Sequence, residues 1–425
     1  VCSARARAAV KTDDSQYDVL VYGSTSGGVT AAVAASRHGL KVGMLVANGG
    51  GCGPTEAGAN HIGGMTTSGL GKTDIGAASQ GGIIGGIALE FYTANAKHYN
   101  TTAPPSWDHE PHVAQASMAG LLSNSTVTVI RGLTAHGSNV AHVTKSGTRI
   151  VSLQTADGRV FSATAFIDSS YEGDLLAAAG GSWVVGREAQ ATYNESAGGR
   201  RADDFNRGYQ FRVRVSPFDA SGKVLPLLIA EDEPVGAPGG ADSRVQAYNF
   251  RLCATSDPNG QAPFPDPDPA SPFRSNDTWE LARRYFADPT WKSAERPGVL
   301  TFTGESPPLD HKAHKRDWNN PFLSPLNTDC IVGCNQSGYP HATVEERLRI
   351  WEAHRNYYLS LVHFMRSDAS VPAEVRATVR KWGLCADEFS STGHWPPQLY
   401  VRETRRMLGD RVFTQHSPQT VSPTL

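Results

Sequence analysis

The chain has 425 residues, 39% of them hydrophobic and 19% charged, and a formal net charge of −2. That length has room for two or three domains, and the near-neutral balance gives no electrostatic case for nucleic acid or an anionic membrane. No apolar run approaches the length of a membrane span; the most apolar-looking stretch, Ile83–Phe91, is short and broken by glycine. The 43 glycines and 26 prolines imply many turns and close backbone approaches. Cys2, Cys52, Cys253, Cys330, Cys334 and Cys385 are too sparse for a disulfide scaffold. Cys330 and Cys334 have the spacing of a local bridge or half a metal site, but no second Cys or His pair with zinc-like spacing follows, so no metal is expected.

Taken in chain order, the Arg- and Ala-rich, acid-free segment Cys2–Val10 reads as the end of a signal or transit peptide, or as a fragment edge. Together with sequons at Asn100, Asn124, Asn194, Asn276 and Asn335 it leans toward a secretory or organellar route. Tyr17–Gly23 (YDVLVYG) is a continuous apolar run and predicts a strand buried on both faces of a parallel sheet. Gly28–His38 predicts a helix that ends at Gly39, and Lys41–Val46 a second strand. This is a βαβ unit with a parallel crossover. Ala47–Asn60 and Ile62–Gly76 are glycine-rich and lack periodicity. Helices are expected over Ile83–Tyr99 and Pro111–Leu122, and a strand over Thr126–Arg131. Thr148–Leu153 and Arg159–Ala163 flank Asp157-Gly158, a hairpin signal, and Ala165–Asp168 reads as a separate strand returning to the first sheet.

From about Ser182 the character changes. Phe205–Val215 and Ala247–Cys253 look like strands of a second sheet, separated by Pro258–Pro272 from a helical region. Thr343 and Glu346 form a capping box before a long helix striped by Leu348, Trp351, Tyr358, Leu361 and Met365. Pro372 opens a further helix with Val375, Val379 and Trp382 on one face, and Gly383 stops it.

Three motifs carry chemistry. Gly23-Ser-Thr-Ser-Gly-Gly28 stands between strand and helix and fits the dinucleotide fingerprint, with Thr25 in place of the middle glycine. Gly23 permits a tight turn. Gly27 and Gly28 let backbone and helix come close, and the free N–H groups of the helix start face a pyrophosphate. The second strand should end in an acid that holds the ribose, but Val46 stands there and the nearest acid is Glu56. Either Glu56 substitutes, or ribose recognition is weakened, or the loop is an aberrant insertion. The second motif, His61–Gly76, combines glycines and small hydroxyl residues with Ile62, Met65, Leu70 and Ile75, as backbone lying against a flat ligand would. The third is Phe166-Ile-Asp-Ser-Ser-Tyr-Glu-Gly-Asp-Leu175.

With these motifs in view, the chain resembles the FAD-dependent oxidoreductases of the glutathione-reductase-like superfamily, in the xanthan-lyase-like subgroup. YDVLVYGSTSGGVTAA, IGGMTTSGLGKTDIG, FIDSSYEGDLLAAAG with GREA, and RVQAYNFRLCATSDP carry the resemblance. EPHVA, GHWPPQLYVRETRRMLGD and the Trp351–Tyr357 helix extend it from about Tyr17 to Thr414. It implies an α/β fold with a Rossmann-like FAD-binding domain over 15–181, a hairpin insertion near 138–163, an α+β substrate or cap domain over 182–414 and a tail over 415–425. It implies that Gly23, Thr25, Ser26, Gly27 and Gly28 meet the FAD pyrophosphate. Gly63, Gly64, Met65, Ser68 and Gly69 would run beside the ribityl chain and flavin, and Asp168, Ser169 and Gly173 would approach the adenosine half. Family members continue well past the RETRRMLGD stretch, so this chain reads as a truncated or shortened form with an incomplete flavin site.

A flavin oxidoreductase removes hydride from a substrate carbon while a base takes the proton. His394, in a Gly-His-Trp-Pro turn, is the candidate base, set against a purely turn-holding histidine. Arg402 and Arg406, around Glu403 at helical spacing, are a candidate clamp for a substrate carboxylate or sulfate, set against a solvated helix face. His112 is expected to be structural, and Asn319 and Asn320 could bind hydroxyls. The expected activity is hydride removal from a polar, carbohydrate-like small molecule. The alternatives are an inactive relative and a nicotinamide-dependent dehydrogenase. Nothing suits the β-elimination of a polysaccharide lyase, and oligomeric state stays open.

Overall fold

The computed structural model describes residues 12–72, 84–99, 106–200, 215–227, 237–290, 315–318 and 338–417. The segment 1–11, nearly all of the expected strand Phe205–Val215, Asn319, Asn320, Cys330 and Cys334 lie outside them.

A six-stranded sheet forms the first unit, from β1 (Thr12–Tyr22), β2 (Val42–Leu45), β3 (Thr128–Ile130), β4 (Val140–Ser146), β5 (Arg149–Thr155) and β6 (Val160–Asp168). Their order is β3-β2-β1-β6-β5-β4. The first four are parallel, while β5 and β4 continue the sheet antiparallel. Strand β1 explains the arrangement. Val19 and Val21 pack on one face with Val29 and Val33 of α1 (Ser26–Arg37). On the other face Leu20 and Tyr22 pack with Leu45, Leu153 and Phe161. A strand sealed on both faces has no polar side to alternate, hence the unbroken apolar run. α3 (Gly86–His98) and α4 (Pro111–Ser123) join α1 on the first face, α4 through Ala114 and Met118. The expected pair of strands at Arg159–Ala163 and Ala165–Asp168 is one element, β6, which leaves the Asp157-Gly158 turn and runs unbroken to Asp168. The hairpin therefore extends the main sheet.

The second unit is a four-stranded antiparallel sheet, order β10-β8-β11-β9, from β8 (Leu252–Thr255), β9 (Gln261–Ala262), β10 (Lys315–Trp318) and β11 (Gly383–Cys385). A short β7 (Trp183–Val184) precedes it and pairs with β12 (Arg406–Met407). The strand expected at Ala247–Cys253 becomes regular only from Leu252. Residues 248–250 instead feed the core. Phe250 sits edge-on to Trp351 at 5.3 Å and to Trp395 at 5.2 Å, an arrangement that adds to simple burial. Among the described helices here, α6 (Gln190–Tyr193), α7 (Glu280–Ala287) and α8 (Gly338–His341) are short. The principal one, α9 (Val344–Ser367), is 24 residues long. Its predicted capping box is present: Glu346 N donates to Thr343 Oγ1 and Thr343 N to Glu346 Oε2. α10 (Ala373–Arg380) follows, with Pro372 as its N-cap rather than its first turn; Val375, Val379 and Trp382 are buried, and Gly383 begins β11.

Cys253 on β8 and Cys385 on β11 form a disulfide across 132 residues, both sulfurs buried. Sparse cysteines do not exclude a single staple, and the pairing partner here is set by strand neighbours distant in sequence. Closing so long a loop constrains the unfolded chain strongly, so Cys385→Ala is expected to cost roughly 2–5 kcal/mol. Urea unfolding with and without the substitution measures it; coincident midpoints would show the bond to be thermodynamically silent.

Candidate cofactor site

The turn from β1 into α1 is built by exclusion. Gly23 adopts φ +102°, and a Cβ there would stand 2.7 Å from the backbone of Ser169 and Ser170. A Cβ on Gly28 would overlap the carbonyl oxygen of Gly23. Both positions therefore require glycine. Gly27 differs: its Cβ would meet only Thr25 Oγ1, at 3.5 Å, so the space before the helix start is open. Thr25, where a fingerprint has glycine, is the N-cap of α1. Its hydroxyl accepts from Gly28 N at 3.3 Å and donates to Ser169 O at 2.8 Å. The remaining first-turn N–H groups, with the positive end of the helix dipole, face the opening. The half-buried Ser26 and exposed Gly27 mark its mouth.

The second glycine motif docks directly on the first. Gly63 N donates to Ser24 O at 2.7 Å, and Gly63 pairs with Thr25 in an isolated bridge. A short 3-10 turn, Gly64–Thr67, follows. Tyr171 Oη accepts from Met65 N at 2.9 Å. His61 Nε2 lies 2.6 Å from Ser68 Oγ and 2.8 Å from Thr67 Oγ1, and burial pushes its pKa down to about 4. The imidazole is therefore neutral at physiological pH. Gly69 lies against the backbone of Arg251 in the second unit.

In the third motif, Asp168 serves its own loop. Oδ1 accepts from Ser170 N and Oγ, and Oδ2 from Leu176 N at 2.9 Å. Ser169 O receives Thr25. Gly173, left-handed, is the N-cap of α5 (Asp174–Ala178). Of these, Ser169 meets the cradle through Thr25 and Gly23, while Gly173 lies against Arg405. At the end of β2, Val46 is fully buried. Glu56 sits exposed in the first turn of α2 (Glu56–Ala59). The segment before it, which lacked any pattern in the sequence, is packed: residues 49–53 are all buried.

A cavity of about 470 Å³ opens nearby, between the α4 face carrying His112 and Gln115, Arg131 after β3, His61 and Asn60, and Glu388–Thr392 of the second unit. His112 is held by Glu388. Its Nδ1 lies 2.7 Å from Glu388 Oε1 and its backbone N donates to Oε2 at 2.9 Å. That hydrogen bond raises the His112 pKa although burial opposes it. Glu110, His112 and Asp387 could converge on a cation, but the Lys315 ammonium already bonds both carboxylates.

The proposed chemical residues are dispersed. His394 has φ +63°, and its Nδ1 lies 3.0 Å from Glu388 O. Residues 401–405 are not helical and Arg406 belongs to β12. Arg402 and Arg406 therefore share no helix face; this corrects the helical spacing inferred from sequence. Arg402 stacks on Tyr400 at 4.6 Å, with its Nε lacking a partner among the described residues. Arg406 pairs with Glu403 and Glu188. Arg405 pairs with Asp174. Sequence reasoning missed Tyr171, Arg251, Glu172 and Arg347, which touch or flank the glycine motifs. Arg251, in the AYNFR stretch, pairs with Asp317 and is buried. A buried arginine in an aromatic run was the available signal.

Residues 18–420 match the profile of a family described as FAD dependent oxidoreductase. No curated protein matches the chain. Among solved structures, a mutant flavin monooxygenase from Stenotrophomonas maltophilia is 18% identical over 36% of this chain and 37% of its own, at a TM-score of 0.24. GidA from Aquifex aeolicus is 18% identical over 36% of this chain and 25% of its own, at 0.22. A thioredoxin reductase from T. acidophilum is 16% identical over 36% and 35%, at 0.22. The chain thus spans between a quarter and a little over a third of these structures, and such partial likenesses carry no argument about function.

Glu172, between β6 and α5, is fully enclosed, and Tyr339 Oη donates to its Oε1 at 2.8 Å. Burial pushes its carboxyl up to about 7, against the pull of Arg347. From its ordinary 4.5 up to that value the native state holds a proton that the unfolded chain has lost, so stability falls as pH rises through this window. Glu172→Gln keeps the acceptor for Tyr339. Its urea midpoint is expected to exceed that of the parent at about pH 8 and to match it at about pH 4. A midpoint at about pH 8 no higher than the parent's would contradict this.

Proposed function

We propose that this chain, which belongs to the FAD dependent oxidoreductase family, oxidises a polar small molecule by removing hydride from carbon. When bound, FAD supplies the hydride-accepting chemistry. The residues fit that group at one end: the space before Gly27 is open, and a helix start lines it. The observation that carries the reading is the hydrogen-bonded union of the two glycine motifs, Ser24 O with Gly63 N. It makes one continuous wall from the cradle of Ser26, Gly27 and Gly28 to Gly64, Met65, Ser68 and Gly69.

The protein's own part is orientation and proton transfer. His394 Nδ1 faces a carbonyl, so it carries the hydrogen and leaves Nε2 as the basic nitrogen. We assign it the base. Arg402, stacked on Tyr400 with its Nε lacking a partner among the described residues, is the assigned anion contact. A second reading, a relative that holds the cofactor weakly, is favoured by the buried Val46 in place of a ribose-binding acid.

No helix among the described residues is long and apolar enough to cross a membrane. The Cys253–Cys385 disulfide and the exposed sequon residues Asn124, Asn194 and Asn276 favour a secretory or organellar route. Protein from its native source is then expected to lose mass on enzymatic deglycosylation, and unglycosylated protein with both thiols free would rule the route out.

The purified 425-residue chain, incubated with FAD and then freed of unbound FAD by gel filtration, is expected to retain a visible flavin band. Gly27→Asp, placing a carboxylate in the first turn of α1, should weaken FAD by roughly tenfold or more, since such end charges are worth up to about 2 kcal/mol. Equal affinity in both proteins would remove the cradle from the FAD site.

A further inference from the structure

The path of the chain through the first sheet reverses between β1 and β6: β2 and β3 lie to one side, β5 and β4 to the other. In open α/β sheets, ligands bind in the crevice outside the carboxyl ends of the strands at such a switch point. Here that crevice lies above Tyr22 and Asp168, which are register partners at the ends of β1 and β6. The α1 cradle flanks it, and the loop Ser169–Asp174 follows from β6.

The β6 side of this crevice is filled by the chain itself. Residues 49–53, shortly after β2, are enclosed between the Glu172–Asp174 loop and the second unit. A Cβ on Gly49 would lie 2.7 Å from Glu172 Oε2, one on Gly51 3.0 Å from Tyr339 Oη, and one on Gly53 2.7 Å from the Trp351 ring. The glycines are therefore what allows the segment in. Its hold on the second unit is polar and brief. Arg347 Nη1 donates to Gly49 O at 3.2 Å, Leu399 N and Gln398 Nε2 donate to Gly51 O, and the Cys52 thiol donates to Gln398 Oε1 at 2.9 Å. Four of its five residues are glycine, and only Cys52 brings a side chain. Its base is closed independently. Asn48 Nδ2 donates to the carbonyls of Gly58, Ala59 and His61, and Ser24 Oγ donates to Asn48 Oδ1. Residues 49–53 can thus swing without unpicking β2 or the Ser24–Gly63 contact.

We propose that Gly49–Gly53 is a strap occupying the part of the FAD path beside the loop that follows β6, and that it must swing out for the cofactor to load. This rests on the reading that the α1 cradle binds FAD. The strap makes loading a competition between FAD and a segment of the same chain.

Cys52, a buried free cysteine in the strap, reports its position directly. Full-length protein is treated with a maleimide with and without FAD, and modification at Cys52 is followed by peptide mass spectrometry. FAD binding is followed in parallel by quenching of flavin fluorescence. FAD is expected to quench and to speed Cys52 modification by roughly tenfold or more, as local opening of a buried thiol does. Quenching with unchanged or slower modification overturns the strap and leaves the FAD reading intact. Gln398→Ala, which removes two of the anchors, covers the case of a strap too firmly held. Quenching by that variant but not by the parent supports the proposal. Absence of quenching in both defeats the FAD reading and the strap together.

Discussion

The structure turns on one buried carboxylate. Asp174, at the start of α5, accepts from Arg347 Nη1 at 2.7 Å, from Arg347 Nη2 at 2.9 Å and from Arg405 Nη1 at 2.9 Å. Burial would push its pKa up, but the two guanidinium groups hold it below the usual carboxylate range. Three elements meet there: the loop after β6, helix α9 and the stretch leading to β12. Arg347 is only 2% exposed, so removing Asp174 would strand a cation without solvent, a loss of about 3–5 kcal/mol for comparable buried pairs. The cluster is less a source of net stability than the device that fixes how the second unit sits over the sheet edge.

The parts legible in the sequence are those whose cause is local. The run YDVLVYG, the glycine turn and the Ala/Val helix each have their signal within a few residues, and the βαβ unit follows at nearly the expected boundaries. The capping box at Thr343 and Glu346 is equally local. The aromatic stripe of α9 announced a core, although not that Phe250 and Trp395 would complete it.

The remainder depends on partners distant in sequence. Nothing near Cys253 points to Cys385, and nothing near Asp174 points to Arg347 or Arg405. The spacing of Arg402 and Arg406 matched a helix by arithmetic alone. No apolar stripe accompanied it; in non-helical backbone Arg405 and Arg406 found separate carboxylates, and Arg402 stacked on Tyr400. Likewise Gly49–Gly53 read as loop because glycine signals both flexibility and close packing. Only Trp351, Tyr339 and Glu172, pressed against it, distinguish the two.

The same carboxylate has a history as well as a position. During synthesis Asp174 emerges 173 residues before Arg347 and 231 before Arg405. The first sheet is complete by Asp168, and domains fold as units from the N-terminal side while the chain lengthens. For that interval the carboxylate must remain hydrated and the edge of the sheet open to water. The arrival of α9 is therefore a dehydration step, and what occupies the edge at that moment is what the closing protein encloses.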